Sequence, residues 1–163
     1  MQKSRATDLC WSEFRASRPG TPSDYRLLWF GGDDKALATK LGNLVLHGTK
    51  RATTTLKRDF DTGKEPVFPS SGDLWLLVDG NGSPLGVIET MRVDVRRYGD
   101  VDAQFAWDEG EGDRTLAYWR TAHDSYFGRQ AAQEGFVFSN DNLVVLEWLR
   151  LIWPIAEATA NSG

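Results

Sequence analysis

The sequence predicts an α+β domain, in which helices flank a small mixed or antiparallel sheet curled into a barrel. Three observations carry this expectation. Two segments with period-two apolar patterning, 73–79 and 85–98, lie either side of Gly80-Asn81-Gly82 and read as a β-hairpin with a long second strand. A further run rich in Val, Leu, Ile and Trp, from Asn142 to Trp153, reads as a buried strand ended by Pro154. Helical periodicity falls before and between these strands. With 163 residues the chain has the length of one domain, so 1–163 is read as a single unit able to bury roughly 70% of its unfolded surface.

The elements follow in order. Thr7 caps a helix over 7–17 with Leu9, Trp11 and Phe14 available for burial, and RPGTPSDY breaks it. Asp33 caps a second helix whose Leu37, Leu41, Leu44 and Val45 share one face, and Gly48 ends it. Thr53, Thr54 and Thr55 favour extended backbone, and LKRDFDTGKEPVFPSSG is a surface excursion with one helical turn. After the hairpin, a short helix over 101–107 leads to a loop in which Asp113 caps the longest helix. There Leu116, Trp119, His123, Tyr126 and Phe127 form the core-facing stripe, with Ser125 on the opposite side. Residues 156–163 read as frayed.

Composition removes several classes of function. Hydrophobic residues are 40% and charged residues 26%, which excludes a disordered tail, a collagen-like fibre and a coiled coil. No signal-peptide core opens the chain, and LVVLEWLRLIWP, interrupted by Glu147 and Arg150, is too short for a membrane span, so a cytoplasmic location is expected. Cys10 is the single cysteine, and His47 and His123 are the two histidines, too few for a zinc, iron–sulfur or haem site. Residues 1–60 carry a net +5 and the remainder −9. An acidic protein must hold a nucleic acid through a local basic patch, for which Lys50, Arg51, Lys57 and Arg58 are the candidates.

Two segments can carry chemistry. GTKRAT joins a glycine, two cations and a hydroxyl. If residues 48–53 turn rather than extend, Lys50 and Thr53 converge, and the adjacent Arg51 charge would favour neutral Lys50 as a base. Otherwise both cations are solvated turn residues. Between Asp100 and Asp113 lie six carboxylates and no basic residue, a solvated face or a cation site. Within it Glu109-Gly-Glu111-Gly-Asp113 suits general acid–base work or one hard cation. Asp113 has the cap as its duty, and Glu111 is the better catalytic candidate.

GTKRATTTL, then PSSGDLWLLVDGNGSPLGVIET, then FAWDEGEGDRTLAYWRTAHDSYF and the closing strand with Trp153-Pro154 together resemble the ASCH domain family, named for activating-signal-cointegrator homology, from about Trp29 to Pro154. The resemblance implies a PUA-like barrel flanked by helices, a cleft beside the lysine loop, and RNA or nucleoside chemistry. In relatives that deacetylate N4-acetylcytidine, the catalytic set would match Lys50 as base, Thr53 as nucleophile and Glu111 as acid. Longer bacterial relatives are ribonucleases, and there Lys50 and Ser125 are the counterparts, with a divalent cation (Mg or Mn) held by Glu109 and Glu111. The ribonuclease acting on single-stranded RNA is the leading expectation. The amidohydrolase is the alternative, and a non-catalytic RNA-binding module the third. In each, Arg51, Lys57, Arg58 and the loop-adjoining Trp29 and Trp107 would contact the RNA or modified nucleoside.

Overall fold

The computed structural model describes residues 1–154, and the frayed tail expected over 156–163 lies outside them. The chain parts into two compact units, one comprising 1–46, 74–89 and the stretch from Arg150, the other 47–73 and 90–149. Five strands, β1 (Arg26–Leu28), β2 (Ala52–Leu56), β3 (Leu74–Val78), β4 (Pro84–Arg97) and β5 (Leu143–Trp153), pair in the order β1-β3-β4-β5-β2; β1 and β3 run parallel while β3–β4 and β2–β5 run antiparallel, so the sheet is mixed. This is the predicted α+β class.

The first unit holds α1 (Arg5–Ser17), β1 (Arg26–Leu28), α2 (Lys35–Leu46), β3 (Leu74–Val78) and the opening of β4 (Pro84–Arg97). Helix α1 starts two residues before the expected boundary because Ser4, not Thr7, is its cap. The Ser4 hydroxyl accepts from the Thr7 N–H, and the Thr7 hydroxyl accepts in return from the Ser4 N–H at 2.8 Å. Likewise the carboxylate at the start of α2 that accepts from the Leu37 N–H belongs to Asp34 rather than Asp33. Strand β1 pairs in parallel with β3, Leu27 opposite Leu76. Its three residues are too few to show a period, and sequence patterning missed it. Gly80 is required at the hairpin tip, because a Cβ there would stand 1.9 Å from the Lys35 carbonyl oxygen at the head of α2. Trp11, Phe14, Tyr25, Leu76 and Val87 form one hydrophobic cluster of this unit.

In the second unit, β2 (Ala52–Leu56) runs antiparallel to the start of β5 (Leu143–Trp153), Ala52 opposite Trp148 and Thr54 opposite Leu146. The predicted helical turn is α3 (Lys57–Asp61). The short helix expected over 101–107 is α4 (Ala103–Glu109), shifted because Asp102 caps it by accepting from the Phe105 N–H. That shift carries Glu109 into helix and, beside Phe105 and Ala106, into the core. Helix α5 (Leu116–Glu134) is capped by Thr115; Asp113 instead accepts from the Thr115 N–H and hydroxyl, bracing the cap. Trp119 and Phe127 are buried as expected, whereas Tyr126 lies off the stripe and is exposed. Among the described residues, no helix is long and apolar enough to cross a membrane.

Candidate functional site

Lys50 enters the second unit from the turn between α2 and β2. The ladder with β5 continues past β2, since the Leu149 N–H donates to the Arg51 carbonyl at 2.8 Å. Strand alternation then sends Lys50, Ala52 and Thr54 to one face and Arg51, Thr53 and Thr55 to the other. The first face is packed by α4 and α5, and Lys50 is only 2% exposed there.

An ammonium so buried needs anions, and Glu109 and Glu111 supply them. Lys50 Nζ donates to Glu111 Oε1 at 2.7 Å and lies 3.5 Å from Glu109 Oε1. Glu109 is itself surrounded. Its Oε1 also lies 3.3 Å from His123 Nε2, and its Oε2 accepts from the Thr54 hydroxyl at 2.9 Å and from the Trp119 indole N–H. His123 stacks on Trp119, ring centroids 4.2 Å apart, and its Nδ1 faces the Trp119 carbonyl at 2.9 Å. A chain of charge therefore runs His123, Glu109, Lys50, Glu111. The two inner members are buried, the His123 side chain is 12% exposed at one end, and Glu111 at the other is the most open, at 20%.

Gly110 makes this arrangement possible. It ends α4 with φ +72°, and a Cβ there would lie 2.0 Å from the Thr49 carbonyl oxygen and 2.9 Å from Lys50 Cα. The bare backbone lets the end of α4 touch the lysine turn, so that the carboxylates before and after it both reach one ammonium.

The electrostatics follow from this packing. Burial alone would lower the Lys50 pKa, but Glu111 and Glu109 outweigh it and the net direction is upward. The neutral lysine base expected from the neighbouring Arg51 is therefore corrected: Arg51 lies on the other face and pairs with Asp108 at 3.2 Å. Burial would raise Glu109, yet His123, Lys50 and the Trp119 hydrogen bond hold it down at about 2. A carboxylate depressed on folding contributes stability that is complete above its ordinary pKa of 4.5 and is lost as pH falls through the folded value. Melting temperature should accordingly drop as pH is taken from about 4.5 to about 2, and a flat profile there would refute the buried Glu109 anion.

The other candidate residues are placed as follows. Thr53 stands opposite Glu147 in the β2–β5 ladder, on the face away from Lys50, and the hydroxyl on the lysine's own face is that of Thr54. Ser125 is exposed and accepts from Arg129 at 2.6 Å, one helical turn along the outer side of α5. The four cations do not form a surface patch. Lys50 is internal, Lys57 pairs with Asp61 at 2.6 Å, and Arg58 lies over the Phe136 ring and 4.0 Å from Glu134. Trp29 belongs to the first unit and donates to the Gly32 carbonyl. Trp107 is 49% exposed on the outer side of α4, with the Arg114 guanidinium 3.8 Å from its ring centroid.

As a metal ligand Glu109 does not fit, because protein donors already occupy both of its oxygens. Glu111 offers one carboxylate already bound to an ammonium. Among the described residues no group of three or more His, Cys, Asp or Glu is arranged to hold a metal ion. Two members of the site, His123 and Thr54, were not assigned a role from sequence. Strand parity counted from Lys50 finds Thr54, and His123 is the imidazole in the apolar stripe of α5.

The comparisons agree with this architecture. The model for the ASCH domain matches residues 27–153. The structure is similar to the high-resolution crystal structure of an ASCH domain from Lactobacillus crispatus JV V101, with TM-score 0.83, 29% identity, and coverage of 93% of this chain and 96% of that one. It is also similar to protein EF3133 from Enterococcus faecalis V583, with TM-score 0.80, 25% identity, and coverage of 91% and 93%. No functionally curated protein matches the sequence. With the matched region spanning both compact units and the mixed sheet shared with a solved ASCH domain, the chain belongs to the ASCH domain family.

Proposed function

We propose that this protein is a hydrolase of modified nucleosides, removing the acyl group from N4-acetylcytidine with Glu111 as the acid–base group. ASCH domains have a PUA-like fold often associated with RNA binding, which makes an RNA constituent the natural substrate class. The observation that carries the reading is the 2.7 Å pair between buried Lys50 and partly exposed Glu111, a carboxylate at the surface beside an ammonium held in a low-dielectric interior.

In this mechanism Glu111 takes a proton from a water molecule as its oxygen bonds to the acetyl carbonyl carbon. The carbonyl electron pair moves to oxygen, and the oxyanion develops in the field of the Lys50 ammonium. Glu111 returns the proton to the exocyclic nitrogen, the C–N bond breaks, and cytidine and acetic acid leave, the acid giving its remaining proton to solvent to become acetate. Water is the nucleophile because Thr54, the hydroxyl on the lysine's face, is committed to Glu109. The metal-assisted ribonuclease has less support, since Ser125 lies on the outer side of α5 and Glu109 is saturated.

Incubation with N4-acetylcytidine and with labelled single-stranded RNA, each with and without a chelator, tests this reading. Acetate release indifferent to chelator is expected, with Glu111→Gln lowering it by roughly 10²–10⁴-fold. Thr53→Ala and Ser125→Ala should both retain it. Chelator-sensitive cleavage of RNA without acetate release would instead establish the ribonuclease.

A further inference from the structure

We propose that His123 stands in the site as an imidazolium and acts as a positioning residue, holding Glu109 so that the charge of Lys50 is left to Glu111. The role assigned to Glu111 rests on the hydrolase reading above; the state of His123 does not.

The argument begins with the two ring nitrogens. Nδ1 lies 2.9 Å from the carbonyl oxygen of Trp119, an atom that can only accept. Nε2 lies 3.3 Å from Glu109 Oε1, a carboxylate oxygen that is ionised in this setting and also only accepts. A neutral imidazole carries one N–H and would leave one nitrogen lone pair against an oxygen lone pair. Only the doubly protonated ring satisfies both contacts. The Trp119 ring stacked at 4.2 Å and Phe127 at 5.5 Å fix its plane.

The charged groups that act on this ring are Glu109 from α4, in contact with it, and Glu111 from the loop after α4, and both carboxylates also hold Lys50 from the turn before β2. Two cations and two anions alternate along the chain. Because His123, Thr54 and Trp119 already satisfy Glu109, its hold on Lys50 is the longer one, 3.5 Å against 2.7 Å to Glu111. Removing the imidazolium charge would turn Glu109 back upon Lys50 and draw the ammonium inward, away from Glu111, the more exposed of the site's two glutamates.

Nitrogen-15 NMR of the full chain at neutral pH reads the ring directly, with His47 the only other histidine signal to assign. Protons on both His123 ring nitrogens are expected, and a single neutral tautomer overturns the proposal. The second arm is kinetic. His123→Gln keeps a donor toward Glu109 but loses the charge, and should lower kcat by about 10- to 100-fold with KM little changed. A folded His123→Gln protein with unchanged kcat overturns the positioning role. Should N4-acetylcytidine not be a substrate at all, the hydrolase reading fails, and the NMR result still decides the state of His123. The same measurement on the wild type decides it if the variant does not fold.

Discussion

Glu109→Ala should lose about 3–5 kcal/mol of unfolding free energy, a large part of the 5–15 kcal/mol typical of a domain. The reason is the number of groups it abandons. Lys50 and His123 would keep buried positive charge with one anion fewer, and the Thr54 hydroxyl and Trp119 indole N–H would lose their acceptor. Burying an ion pair gains little over burying apolar groups of the same volume, whereas removing one partner alone leaves the other's desolvation uncompensated. Glu109→Leu combined with Lys50→Met should therefore be markedly less destabilised than the sum of the two single changes. Urea unfolding of Glu109→Ala, of the two single changes and of their combination measures this. A Glu109→Ala midpoint close to wild type, or strict additivity, would show that the four side chains do not form one unit. Nothing comparable is expected for Asp61→Ala, whose partner Lys57 is a surface cation.

The legible and illegible parts of this site divide along physical lines. Lys50 and Glu111 were both visible as chemically apt residues beside glycines. Their pairing was not, since 61 residues separate them and no local rule connects a turn after one helix to a loop after another. By sequence Glu109 reads as a loop carboxylate open to a cation. Its burial follows from the register of α4, in which Phe105, Ala106 and Glu109 fall on one face, and a helix ended two residues early hides that register. The sequence points to Thr53 only on the premise of a turn through residue 53. The backbone is instead extended from Ala52 onward, and alternation gives the opposite assignment. His123 was placed correctly on the core stripe of α5, but a stripe says only that a side chain is inside, not what faces it. The hairpin and the closing strand were recovered because their apolar runs are long. Strand β1, at three residues, has no pattern to recover.

Gly110→Ala should damage stability and activity together, where Gly48→Ala damages neither severely. Both glycines have positive φ, +72° and +75°, so each substitution pays the left-handed penalty of roughly 1–2 kcal/mol. They differ in what a methyl group meets. At Gly48 there is nothing within 4 Å, while at Gly110 the nearest atoms are the Thr49 carbonyl oxygen at 2.0 Å and carbon at 2.5 Å. Those are backbone atoms, which cannot rotate aside as a side-chain terminus can. Either α4 retreats from the turn or the turn moves, and both widen the gap between Lys50 and the two glutamates. The expected loss at Gly110 is about 2–5 kcal/mol, combining left-handed strain with overpacking. Activity that depends on the Lys50–Glu111 contact should fall by about 10²-fold in whatever protein remains folded, since a displacement near 1 Å suffices. Urea unfolding and acetate release, compared across the two alanine variants, separate backbone strain, common to both, from the steric wedge unique to Gly110. Equal behaviour of the two would mean that close contact between α4 and the lysine turn does not hold the site together.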